Sequence, residues 1–113
     1  MLSKGEKIFL ITRRLFNEDI RRHFLGEIQE VSGGAIRVQG YVFVYDASNN
    51  EYVKRDDVRT RLFSTIDANL VINILPGEVN LTDVHYQVDK NNHLVLTDGK
   101  LFRLDINEFG LLR

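Results

Sequence analysis

Two groups of residues in this chain have the types and spacing to do chemistry. Arg59 and Arg61 alternate with Val58, Thr60 and Leu62, so in a strand both guanidiniums share one face with Phe63. Arginine's planar fork suits bidentate recognition of phosphate or carboxylate. Tyr41, Phe43 and Tyr45 alternate in the same way, with Arg37 upstream on the same face. Aromatic faces stack nucleobases while neighbouring arginines meet phosphates, the pairing that single-strand binders use. Arg37, Tyr41, Phe43, Arg59 and Arg61 are therefore the candidate nucleic-acid-binding residues. The competing explanation is structural. Aromatics dominate cores and interfaces, and arginines on strands commonly pair with Asp or Glu across the sheet.

Metal and catalytic readings find less. Asp46, Ser48, Asn50 and Asp57 fall at positions 1, 3, 5 and 12 of a calcium loop, but Glu51 stands where that loop requires glycine. His23, His85 and His93 lack ligand spacing. Cysteine is absent, which removes thiolate metal sites, disulfides and a cysteine nucleophile. Neither a Gly-x-Ser-x-Gly elbow nor a phosphate-binding glycine loop occurs. The expectation is a protein that is not an enzyme and holds no metal or cofactor.

The elements that position these residues read as strands. Ile36, Val38, Val42 and Val44 form one face of a long run, and Arg37, Gln39, Tyr41, Phe43 and Tyr45 the other. Gly40 interrupts that run, where a bulge or bend is the usual reason for glycine. Strands are expected near 7–14, 23–31, 35–46, 51–55, 58–65, 70–75, 84–88, 93–97 and 100–106, separated by recurrent turn residues. Phe16, Ile20, Phe24 and Ile28 are spaced by four and Asn17 suits a cap, so a short helix or turn is expected at 17–21. Ser32-Gly33-Gly34 reads as a hairpin turn. Asp98-Gly99 reads as a two-residue turn with positive φ. Pairing Val88 with His93 would set His85 opposite Leu96. Pro76-Gly77 marks a loop after the run Leu70 to Leu75. The expected fold is all-β, in one domain over 1–113: a small barrel at about 7–75, extended by a C-terminal meander at about 84–106.

Two families share short stretches with this chain. Phe24-Leu25-Gly26-Glu27-Ile28 resembles the opening of the first Sm motif, and the long bent strand followed by short ones resembles the Sm-like small barrel. Members of that family form rings and bind single-stranded RNA, so the resemblance implies that the barrel at about 7–75 is SH3-like or Sm-like and that the protein is a homo-oligomer with single-stranded RNA as partner. The family's second motif has an Arg-Gly or Lys-Gly pair, where this chain has Leu75-Pro76-Gly77. Glu30-Val31-Ser32-Gly33-Gly34-Ala35-Ile36-Arg37-Val38 looks like the Asp-x-Ser-x-x-Gly loop of cyclic-dinucleotide-binding PilZ domains, with Glu for Asp and Ala for the last Gly. A plain Gly-Gly hairpin turn explains the same residues.

Composition sets outer bounds. A chain of 113 residues at 43% hydrophobic builds one core unaided. Net charge is −1, which disfavours strongly electrostatic nucleic-acid binding. Residues 1–61 hold eleven Lys/Arg against nine Asp/Glu, and residues 62–113 hold four against seven, a mild asymmetry. The apolar run Ile8 to Ile11 is too short for a signal-peptide core or a membrane span. Asn80-Leu81-Thr82 matches a glycosylation sequon by chance on that reading. A cytoplasmic location with no membrane partner is expected. The function these features suggest is a non-enzymatic, Sm-like oligomeric module that binds single-stranded nucleic acid weakly. The alternative is a structural module whose aromatic face makes protein contacts.

Overall fold

The computed structural model of the protein describes residues 1–12, 22–46, 48–49, 51–66 and 69–106. These residues form strands β1 (Lys7–Thr12), β2 (Arg22–Ser32), β3 (Ala35–Asp46), β4 (Glu51–Lys54), β5 (Arg59–Ser64), β6 (Leu70–Leu75), β7 (His85–Val88), β8 (Leu94–Thr97) and β9 (Arg103–Asp105). One 3-10 turn, Leu81–Asp83, is capped by Asn80. Every strand pair is antiparallel. The helix or turn expected at 17–21 lies outside the described residues. Among them no helix is long and apolar enough to cross a membrane. The chain divides into two compact units, Met1–Leu75 and Pro76–Arg113.

In the first unit the strands run β4-β3-β2-β1-β6. β3 is long enough to serve two short neighbours on its second edge. Ala35–Gly40 pair with β5, and Phe43–Asp46 pair with β4. The aliphatic alternation of β3 does what it implied: Ile36, Val38 and Val42 are buried with Ile8, Leu10, Phe24 and Ile28 in one cluster. Phe63 from β5 and Leu70 and Ile72 from β6 pack onto the same cluster. Strands at opposite ends of the sheet thus share one core, so the sheet curls over it. Phe24 and Phe63, from strands that do not pair, bring their rings to 5.3 Å across that interior. No ladder joins β5 to β6 among the described residues, so a curled antiparallel sheet is what the pairing establishes.

Two local devices shape β2 and β3. Ser32 pairs with Ala35, leaving Gly33-Gly34 as a two-residue turn, with φ +58° at Gly33 alone of the two. Positive φ at the first central position is the type II′ requirement that glycine meets without strain. The ladder then shifts between Ile28 and Glu30, leaving Gln29 as the extra residue of a bulge. The bulge therefore sits on β2, three pairs from Gly40. Gly40 has a different reason for being glycine, a close approach to β2.

The second unit is a β7-β8-β9 meander. Both of its turns are longer than expected. Val88 pairs with Leu94, which places His85 opposite Thr97 rather than Leu96. Asp89 explains the extra residue: its Oδ1 accepts the N–H groups of Asn91 and His93, and Asn92 takes φ 63°. Thr97 pairs with Arg103, so Asp98-Gly99 opens a five-residue loop instead of making a two-residue turn. Here Asp98 Oδ1 accepts from the backbone N–H groups of Lys100, Leu101 and Phe102 at 2.9, 2.7 and 3.3 Å. Those donors would otherwise need strand partners, and side-chain capture by Asp is a standard competitor to the ladder.

Candidate functional site

The five candidate residues fall on two faces of the first unit's sheet. Arg37, Tyr41 and Phe43 point away from the Ile36–Val38–Val42 face. Arg59 and Arg61 lie opposite Gly40 and Val38 in the ladder, and directly opposed residues share a face. Their alternation with Phe63 holds as the sequence implied. It places them on the core side of the sheet, where Arg61 sets its guanidinium 5.9 Å from the Phe24 ring centre. Such a contact is attractive because the ring face carries negative charge density. Register thus brings Arg37 and Tyr41 to one surface and keeps Arg59 and Arg61 from it.

On the outward face the aromatics do different jobs. Phe43 is 1% exposed and meets Phe9 edge-on at 5.9 Å, with Leu25 also buried beside it. Tyr41 and Tyr45 are half-buried. Lys54 holds its Nζ 4.6 Å from the Tyr41 ring centre and 5.9 Å from that of Phe43. His23 is buried, stacks on Tyr52 at 4.5 Å, and Tyr52 meets Tyr45 at 5.3 Å. Around Tyr41 and Tyr45 the exposed part of this face is therefore a tyrosine surface carrying Lys54, with a phenylalanine floor.

The arginines have partners. Arg37 donates from Nη1 to Glu30 Oε2 at 3.0 Å. The bulge at Gln29 makes this pair: without the extra residue Glu30 would share the face of Ile28. Arg59 donates from Nε to Asp57 Oδ2 at 2.7 Å, a partner two residues away rather than across the sheet. That bond, first, and the charges of Arg59 and Arg55 hold the Asp57 carboxyl below its ordinary range. Both pairs are solvent-exposed, where ion pairs contribute little and are easily exchanged for a ligand's anion.

Of the calcium-loop positions, Asn50 lies outside the described residues and the others are otherwise engaged. Asp46 accepts from the Ser48 hydroxyl and the Asn49 amide, which hold its carboxyl below the usual range. Among the described residues no group of three His, Asp or Glu side chains is placed to hold a metal ion.

Lys54 belongs to no sequence motif, yet it sits on the aromatic face. The spacing between Asp46 and Glu51 carried the signal. With four residues between Asp46 and Glu51, the register runs Tyr45 to Tyr52 and Phe43 to Lys54, which puts the lysine on the aromatic face. Exposed apolar residues also accompany β5. Val58, Leu62 and Ile66 stand at 56, 69 and 84% exposure along and beside β5. The alternation that put Arg59, Arg61 and Phe63 on one face already put Leu62 on the other.

No known family model, characterised protein or solved structure matches this chain.

Proposed function

We propose that this protein is a non-enzymatic binding and assembly module, similar in layout to the Sm-like small barrels, that associates with further copies of itself through strand β5. One observation carries the reading. Among the described residues β5 pairs with β3 alone, and the exposed side chains of Val58, Leu62 and Ile66 accompany that edge. An edge strand offers a row of backbone donors and acceptors that templates pairing with another strand. Apolar side chains beside it supply the burial that makes such pairing stable. The alternative in which the aromatic face makes the protein contacts is favoured less, since Phe9, Leu25 and Phe43 are already buried. A cytoplasmic location belongs to the same proposal.

Sedimentation velocity from about 1 to 100 µM tests this, a range that spans specific interfaces of ordinary size. Concentration-dependent assembly is expected, and Leu62→Lys with Ile66→Lys should abolish it while leaving the fold intact. A monomer at every concentration overturns the proposal.

A second reading, weak binding of single-stranded nucleic acid, rests on Tyr41. Its half-exposed ring, the Lys54 ammonium 4.6 Å above it and Arg37 on the same face combine a stacking surface with two cations. Titration with single-stranded RNA at low and moderate salt tests it. Phosphate contacts release counterions, so binding should fall steeply as salt rises.

A further inference from the structure

The second unit holds an open cleft of about 480 Å³ on its meander, between the sheet and the loop that Asp98 organises. That volume is in the range that takes small organic ligands. Val95 from β8 forms the apolar floor, and Leu101 and Phe102 of the loop form one wall. Gln87 on β7, Lys100 in the loop and Arg103 on β9 contribute the polar groups. Loop geometry brings these together. Because Thr97 pairs with Arg103, the five residues between them arch out of the sheet and carry Lys100 and Phe102 to the cleft.

The charge in the cleft is positive. Among the described residues Asp89 is its one acidic lining residue, and its carboxylate is already committed. Oδ1 takes the Asn91 and His93 N–H groups, and Oδ2 pairs with Arg103 Nη2. These bonds, the His93 N–H first, hold the Asp89 carboxyl below its ordinary range. Asp89 thereby fixes the Arg103 guanidinium without using all of its donors, since a guanidinium carries five. The Lys100 ammonium and the Gln87 side-chain amide make no bond to the protein among the described residues. Leu101, at 53% exposure, leaves apolar surface open beside them.

We propose that this cleft binds a small amphipathic anion: one carboxylate or phosphate on a flat apolar body. Lys100 and the free edge of Arg103 receive the anionic group, Gln87 donates its amide, and the body lies on Val95 against Leu101 and Phe102. Arginine and lysine together suit both headgroups, because the guanidinium gives directed donors and the ammonium a movable point charge. The site does not depend on assembly through β5.

The experiment is a titration of the full chain, followed by backbone amide NMR, with benzoate, phenyl phosphate, inorganic phosphate and benzylamine as separate probes. Saturable shifts at Gln87 and across Lys100–Arg103 are expected with benzoate or phenyl phosphate, and the tighter of the two identifies the headgroup. Inorganic phosphate, lacking the body, should bind several-fold more weakly than phenyl phosphate, and benzylamine should give no saturable shift. Lys100→Ala lies on an exposed loop position, so the fold survives it. It should weaken binding by about threefold to tenfold, the effect of one charge-assisted hydrogen bond at a partly exposed site. The proposal is overturned if neither aromatic anion saturates, if benzylamine shifts the same amides equally, or if Lys100→Ala leaves the affinities unchanged.

Discussion

Gly26 and Gly40 face each other across β2 and β3 as direct ladder partners. A Cβ on Gly40 would lie 1.9 Å from the Leu25 carbonyl oxygen and 2.5 Å from the Gly26 Cα. One on Gly26 would lie 2.6 Å from the Gln39 carbonyl oxygen. The obstacles at Gly40 are all backbone atoms, which cannot rotate aside, and at Gly26 the Val38 Cγ1 methyl, also at 2.6 Å, adds to the backbone. At this crossing the two central strands approach closely, and here β3 changes its second-edge neighbour from β5 to β4. Neither glycine has positive φ, so close approach, not backbone conformation, demands them.

Gly40→Val should therefore destabilise the protein despite valine's preference for strands, which spans only about 1 kcal/mol. Overpacking against backbone should cost about 2 kcal/mol or more. Gly26→Ala should act in the same direction with a smaller loss. Urea midpoints of the three proteins check this, and an unchanged midpoint for Gly40→Val would contradict the close crossing.

Phe43 and Tyr41, two residues apart on one face, should respond differently to truncation. Phe43→Ala empties a fully buried position and should cost about 3–5 kcal/mol. Tyr41→Ala removes a half-buried ring and should cost about 1 kcal/mol, within the usual range for partly exposed sites. If single-stranded RNA binds, Tyr41→Ala should lower its affinity by about one stacking contact, roughly 1–3 kcal/mol, while the melting temperature falls by only about 4 °C. Comparing melting curves with RNA titrations for the two variants separates folding from binding.

Asp98 should give the second unit an acid limit. Burial raises its pKa, but the N–H groups of Lys100, Leu101, Phe102 and Asp98 itself outweigh this and leave it below the ordinary value of 3.8. A carboxyl with a lowered folded pKa stabilises above its unfolded pKa. That contribution is lost as pH falls below about 3.8 and through the folded value. Asp98→Asn should flatten this part of the pH–stability curve. It should also speed amide exchange at Lys100, Leu101 and Phe102 at neutral pH, which hydrogen exchange measures directly.

The Arg37–Glu30 pair should be nearly neutral for stability. Both side chains are exposed, and such pairs contribute about 0–1 kcal/mol. A double-mutant cycle with Arg37→Gln and Glu30→Gln, read by thermal unfolding, should return a coupling in that range. It should shrink further as salt is raised.

Much of this architecture was legible in the order of residues, because side-chain alternation along a strand is local. The face of Ile36, Val38 and Val42, the shared face of Arg59, Arg61 and Phe63, and the Gly33-Gly34 turn each follow from a few neighbouring residues. The strand positions did too, to within a few residues at their ends. What alternation cannot encode is which strand lies opposite, how far the sheet curls, and where a side chain displaces the ladder. Register set Arg61 over Phe24 while Arg37 stayed on the far face, the one Tyr41 shares. Burial separated Phe43 from Tyr41, though both have the same parity. The bulge at Gln29 and the five-residue loop at Asp98 came from competition between backbone pairing and its alternatives. That competition is decided by contacts distant in sequence for the first and by three captured N–H groups for the second. The candidate surface changed accordingly: Lys54 and Leu62 gained importance through position in the tertiary structure, and Phe43 became part of the core.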